Sequence, residues 1–105
     1  MYLARFCYDV APTNRGRALN YIRQEAEAAR KRGLTARVLV PLTRAHGGAA
    51  LQFEIELTSL DQLEGFRHQG VGSKEESQDW MQAFSGILLS PPAVEILRVD
   101  EAHAA

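Results

Sequence analysis

A single cysteine, Cys7, stands in the whole chain. No disulfide can therefore close within it, and the paired thiol spacing of a zinc ribbon or a dithiol redox centre is excluded. With His46, His68 and His103 it forms no metal-ligand spacing either, so no metal site is expected. Long apolar runs are missing as well. No stretch approaches the roughly 20 residues that cross a bilayer, and the opening MYLARFCYDV is too short in its apolar part for a secretory leader. Net charge is almost nil, with 12 Lys and Arg against 13 Asp and Glu. That balance argues against a surface built to neutralise the phosphates of DNA or RNA, and it leaves little self-repulsion to oppose pairing of two copies. The expectation is a cytoplasmic protein with no membrane and no nucleic-acid partner.

What is present suits one globular domain over residues 1–105, with 100–105 as a frayed tail. Its 46% apolar and 24% charged residues are ordinary for such a domain. In YLARFCYDV, residues 2–10, Tyr2, Ala4, Phe6, Tyr8 and Val10 share one face and Leu3, Arg5, Cys7 and Asp9 the other, the mark of a strand with one buried side. Pro12-Thr13-Asn14 stops it and offers Asn14 as a helix N-cap. Leu19, Ile22, Ala26 and Ala29 then recur at helical spacing over residues 15–32, with Tyr21 and Ala28 beside them. Arg30-Lys31-Arg32 suits the negative end of that helix better than it suits an anion site, and Gly33 fits the residue just past it.

Residues 35–42 and 51–58 read as a hairpin about His46-Gly47-Gly48. Apolar residues fall on even positions in one arm (Ala36, Val38, Val40, Leu42) and odd in the other (Leu51, Phe53, Ile55, Leu57). A turn centred on the two glycines pairs Leu42 with Phe53, Val40 with Ile55 and Val38 with Leu57. Pro41 lacks a ladder donor, which places the first arm at a sheet edge. Ser59-Leu60-Asp61-Gln62 is a capping box, with Leu60, Leu63 and Phe66 behind it. Trp80, Met81, Phe84, Ile87 and Leu88 form a second stripe, closed by Ser90-Pro91-Pro92. Residues 93–99 make a last strand, in which Ile96-Leu97 suggests a bulge.

Between the two helical stretches lies Gly70-Val71-Gly72-Ser73, followed by Lys74. It is not a dinucleotide loop, since Glu75 stands where G-x-G-x-x-G needs its third glycine and the segment follows a helix rather than a strand. It reads as a helix stop at Gly70 and a capped restart at Ser73-Lys74-Glu75-Glu76. The order is thus β-α-β-β-α-β with the second helix broken in two. The fold class is α+β, a ferredoxin-like four-stranded antiparallel sheet with its helices on one face.

The other face would carry Arg5, Cys7, Arg37, Leu39, Glu54 and Glu56, joined from the last strand by Glu95 or by Leu97 and Val99. Apolar residues there sit among charges of both signs, so the face suits water or a second copy of the chain. The RNA-recognition motif shares this element order but stacks bases on aromatics of the open face. Here Phe6, Tyr8 and Phe53 point the other way, and turning them outward would bury Arg5 and Glu54.

The second half, ELTSLDQLEGFR, then DWMQAF, then ILLSPPAVEILRV, resembles the dimeric α/β-barrel superfamily, and within it the NIPSNAP-like group. Trp80, the Leu88-Leu89-Ser90-Pro91 break and the closing strand carry the likeness, which spans residues 2–99 as an element pattern. It implies a homodimer with two sheets packed face to face and the helices outside. The superfamily includes cofactor-independent monooxygenases, haem-degrading enzymes and muconolactone-isomerase-like enzymes; no residue set here matches the catalytic pattern of any one of them. The expected function is therefore a homodimeric small-molecule-binding or structural module with no assignable chemistry and no cofactor. The alternative is a cofactor-independent monooxygenase or isomerase acting on an aromatic or polyketide-like molecule, and haem binding is a third possibility. The candidate pocket residues between helix and sheet are His68, Arg67, Tyr8 and Trp80.

Overall fold

In the computed structural model, residues 1–43, 49–69 and 74–100 are described, apart from the side chains of 65–69 and 74–77. Strand β1 (Tyr2–Tyr8) leads through a 3-10 turn at Pro12–Asn14 into helix α1 (Arg15–Lys31). Strands β2 (Ala36–Leu39) and β3 (Leu51–Leu57) follow, then helices α2 (Leu60–Gln69) and α3 (Lys74–Ser85) and strand β4 (Ala93–Arg98). The sheet order is β2-β3-β1-β4, antiparallel at each pairing, so β1 and β3 are central and β2 lies on an edge. This is the ferredoxin-like βαββαβ arrangement expected from the sequence, with the second helix divided between Gln69 and Lys74. The Gly70–Ser73 junction lies outside the described residues, as do His46-Gly47-Gly48 and the tail from 101 to 105.

Alternation in the strands decides what each face does. Ala4, Phe6 and Tyr8 of β1 and Leu51, Phe53, Ile55 and Leu57 of β3 form one buried cluster with Ala18, Ile22, Ala26 and Ala29 of α1. Phe6 and Phe53 are cross-strand partners whose rings stack with centroids 5.5 Å apart. The small residues of α1 let the helix lie close to the sheet, and its principal strand partners are β2 and β3. Past its end, Gly33 has φ of 80°. The Leu34 N–H reaches the Ala29 carbonyl at 3.1 Å and the Gly33 N–H reaches that of Arg30 at 2.9 Å, a glycine-terminated Schellman stop. The Arg30 guanidinium donates to the Ala36 carbonyl at 3.0 Å, so the charged last turn ties α1 to the start of β2.

Several local expectations are corrected. In the β2–β3 pairing Val38 lies opposite Phe53 and Ala36 opposite Ile55, four residues along β3 from the register expected for a turn on Gly47-Gly48. Face parity survives, because the shift is even. The cause is that β2 stops at Leu39, just ahead of Val40 and the donorless Pro41, so a tight turn does not set the register. Leu42, expected on the buried face, is 97% exposed, and Val40 is exposed too. Asn14 stands at the N-cap of α1 without a side-chain cap bond. Gln62 accepts from the Thr58 N–H at 2.7 Å rather than from that of Ser59. Leu60 and Met81 are exposed rather than part of the apolar stripes. Helix α3 ends at Ser85, before the Pro91-Pro92 pair that was expected to stop it. β4 runs without a bulge, pairing Leu3 with Leu97 and Arg5 with Glu95.

Candidate functional site

Two groups of residues stand out, one on each face of the sheet. On the open face the ladders bring Arg37, Glu54, Arg5 and Glu95 into one row across all four strands. Glu54 is the centre of this row. Arg5 donates to its Oε2 through Nε at 3.0 Å and Nη2 at 2.8 Å, and Arg37 donates to its Oε1 through Nε at 2.9 Å and Nη2 at 2.5 Å. Each carboxylate oxygen thus accepts two charge-assisted hydrogen bonds from one guanidinium, so both oxygens of Glu54 are satisfied within the sheet. Glu54 is only 2% exposed. Its shielding comes from the two guanidinium groups, while the side chain of Arg37 itself remains 64% exposed. Burial pushes the Glu54 carboxyl up, but the hydrogen bonds from Arg5 and Arg37, aided by their charges, outweigh it and hold the group below the usual carboxylate range.

Rows on either side of this ion row are more apolar. Leu39, Gln52, Cys7 and Ala93 lie across the sheet in one; Glu56, Leu3 and Leu97 lie in the other. The Cys7 Sγ approaches Glu95 Oε1 at 3.9 Å. Partial burial, then the nearby carboxylate of Glu95, raises the thiol above its ordinary range, which leaves it a weak nucleophile. All six residues expected on this face (Arg5, Cys7, Arg37, Leu39, Glu54 and Glu56) do lie on it.

The helix-side group is built around a buried pair. The Tyr8 hydroxyl donates to Glu25 Oε2 at 2.9 Å, with Tyr8 on the central strand β1 and Glu25 on the inward face of α1. Aromatic rings enclose the pair's neighbourhood. Phe84 of α3 sits 5.0 Å from Tyr8, 5.3 Å from Tyr21 and 5.4 Å from Trp80, centroid to centroid. The Trp80 indole N–H donates to the Tyr21 carbonyl at 3.2 Å, so α3 is fastened to α1 by a polar bond as well as by rings. Burial raises the Glu25 carboxyl to about 7, although the Tyr8 hydrogen bond acts in the other direction. Burial first, and then the neighbouring Glu25, raise the Tyr8 phenol well above its ordinary range. Close to neutral pH, Glu25 can take up or give up a proton inside the core, while Tyr8 keeps its own.

Of the four expected pocket residues, Tyr8 and Trp80 meet at the Phe84 cluster. Arg67 and His68 fall in the last turn of α2, and their side chains lie outside the described residues. Glu25 was missed by sequence reasoning. The signal for it existed, since Glu25 sits three residues after Ile22 and four before Ala29, inside the apolar stripe of α1. The helix side of β4 differs from the rest of that face. Val94 and Ile96 lie opposite Phe6 and Ala4 yet are 37% and 46% exposed. Among the described residues α1 packs on β2 and β3, and α2 on β3, leaving this edge strip the least covered part of the helix-side face. Also among the described residues, no cluster of three or more His, Cys, Asp and Glu side chains is placed to hold a metal ion, and no helix is long and apolar enough to cross a membrane.

The buried carboxyl gives a pH prediction. The folded state holds the Glu25 proton more tightly than the unfolded chain does, so its contribution to stability is full below about 4.5 and is lost as pH rises through about 7. Over that window the loss amounts to about 3 kcal/mol for a shift of this size. Urea unfolding from pH 4.5 to 8 should show this decline in the native protein and not in Glu25→Gln, which should be the more stable of the two at pH 8. Parallel curves would contradict the assignment.

No protein-family model matches the chain, and no curated protein does. Solved structures do. A NIPSNAP family protein from Agrobacterium tumefaciens superposes with a TM-score of 0.72 at 18% identity, covering 98% of this chain and 96% of its own. An uncharacterized NIPSNAP domain protein from Burkholderia xenovorans gives 0.72 at 9% identity, with both chains covered in full. An antibiotic biosynthesis monooxygenase gives 0.70 at 13% identity, covering 94% of this chain and 98% of the other. At these identities the likeness is one of fold, and the fold is the ferredoxin-like domain that NIPSNAP and antibiotic biosynthesis monooxygenase proteins have in common.

Proposed function

We propose that the chain is a homodimeric α/β-barrel module that joins two copies through their open sheet faces and holds a small apolar molecule on the helix side. The observation that carries the dimer is the composition of the open face. It presents Leu3, Leu39, Cys7 and Leu97 in rows beside an ion row whose buried carboxylate is already neutralised within the chain. Such a face can be dried without stranding Glu54, because its oxygens bring their partners with them. The resemblance read from the sequence implies the same face-to-face packing. Both signs of charge on the face also disfavour a nucleic-acid partner, as does the inward orientation of Phe6, Tyr8 and Phe53.

The helix-side ligand reading rests on Val94 and Ile96, apolar residues left open opposite the buried Phe6 and Ala4. Tyr8 and Trp80, with Arg67 and His68, remain the candidate pocket residues, and Glu25 joins them. Oxygenase activity does not follow from the monooxygenase that superposes on the chain, because that likeness is of fold.

Sedimentation velocity at about 10 µM protein should give a dimer for the native chain and a monomer for Leu39→Glu with an unchanged circular dichroism spectrum; a monomeric native chain would overturn the dimer. Trp80 is the chain's single tryptophan, so its emission can follow ligand binding. Hydroxylated naphthalenes and anthraquinones should quench it saturably, with at least fivefold weaker binding to Ile96→Glu. Quenching that does not saturate, or that ignores Ile96→Glu, would remove the ligand half and leave the dimer standing.

A further inference from the structure

The connection from β1 to α1 and the two ends of the connection from β2 to β3 meet at one end of the sheet. They enclose a half-open cavity of about 220 Å³. It lies on the β3 side of β1, away from Val94 and Ile96 on β4. We propose that this cavity binds a small carboxylate on an apolar body of about benzoate size, with Arg15 as the partner of the carboxylate. Such a site stands apart from both the second copy and the helix-side ligand read above.

Size and wall chemistry set the body of the ligand. An engineered cavity of about 150 Å³ takes up benzene, so the space here has room for one ring and a carboxylate. Val10, Pro12, Ala49 and Ala50 give it apolar walls. The alanine side chains end at Cβ, which keeps the space open. Pro12 and Pro41 have a fixed φ, so the parts of the wall they form lose little freedom when a ligand arrives. Leu42 borders the same cavity and is almost wholly exposed. A ring seated beside it removes apolar surface from water on both partners.

The polar groups of the lining choose the charge. Proline has no N–H, so neither Pro12 nor Pro41 offers a backbone donor. The Ala50 N–H is spent on the Tyr8 carbonyl at 3.0 Å. Arg15 brings a positive charge, and among the described residues that line the cavity no Asp or Glu opposes it. Its Nη2 donates to the Pro41 carbonyl at 3.2 Å. That bond holds the guanidinium at the cavity while using one of its five N–H groups. The Thr43 hydroxyl is a further side-chain donor on the lining. One guanidinium and one hydroxyl match the single charge and two oxygens of a carboxylate. They are too few for a phosphate dianion, whose remaining oxygens would meet apolar walls.

Amide chemical shifts of the full chain test the site. Benzoate should move the N–H signals of Val10, Thr43, Ala49 and Ala50 saturably, with a Kd of about 1 mM or tighter, an affinity within reach of a ligand of that size. Benzamide keeps the shape without the charge, and inorganic phosphate keeps a charge without the ring. Each should bind roughly tenfold more weakly or worse. Arg15→Gln should weaken benzoate about tenfold. Because that change also removes the bond to Pro41, Ala49→Leu serves as a second variant that keeps Arg15 and fills the cavity. It should lose the benzoate shifts while the rest of its spectrum stays native. Benzamide or phosphate binding as tightly as benzoate would overturn the carboxylate assignment. Benzoate shifts that survive Ala49→Leu, that centre on Val94 and Ile96 instead, or that never saturate would overturn the site.

Discussion

Glu54 is the point on which the open half of the molecule depends. A carboxylate at the middle of a central strand, 2% exposed, would ordinarily demand a proton or a buried cation. Here it has two guanidinium groups from the strands on either side, each bonded through two nitrogens. The arrangement ties β2 to β3 and β3 to β1 through side chains as well as backbone. It also fixes the rotamers of two long side chains that would otherwise sweep the surface. A face that starts from an ordered, neutralised centre and has leucines on its flanks loses less on association than one carrying mobile charges.

The sheet thereby separates two kinds of chemistry. Toward the helices, alanines of α1 and the rings of Phe6, Tyr8, Phe53 and Phe84 make a close-packed layer that holds the polar pair Tyr8 and Glu25. Toward the other side, charges meet in plane. The two faces share strands, so the same backbone positions both groups. Arg5 and Phe6 are neighbours in β1, one holding Glu54 and the other stacking on Phe53. A change in β1 is thus felt on both sides, whereas β4, whose helix-side residues Val94 and Ile96 are the least covered, has room to accommodate something beside it.

Much of this was legible in the sequence because period-two alternation in β1, β2 and β3 is strong. Alternation assigned Arg5, Cys7, Arg37, Leu39, Glu54 and Glu56 to one face, and Pro41 put β2 at the edge. Register was not legible, since a long connection between β2 and β3 leaves the pairing to packing rather than to turn geometry. Nor did the alternation reveal that Glu54 is buried, because exposure there depends on the reach and direction of two arginine side chains. Glu25 shows the complementary limit. Its place in the stripe of α1 was visible, but a glutamate within an apolar stripe usually turns its carboxylate outward, and only the Tyr8 hydroxyl across the layer explains why this one turns in. Arg67 and His68 remain where the sequence left them, as expectations in the last turn of α2.

The central claim is that the open face is covered by a second copy. Cys7, half-buried on the central strand β1 and one row away from Glu54, is a native reporter of that cover. The rate at which an aromatic disulfide reagent modifies its thiol should be measured as protein concentration rises through the dimer constant found by sedimentation. If the account holds, the rate falls with the dimer fraction and recovers in the Leu39→Glu chain at the same concentration. A rate that stays constant while the protein passes from monomer to dimer would place the interface elsewhere and contradict it.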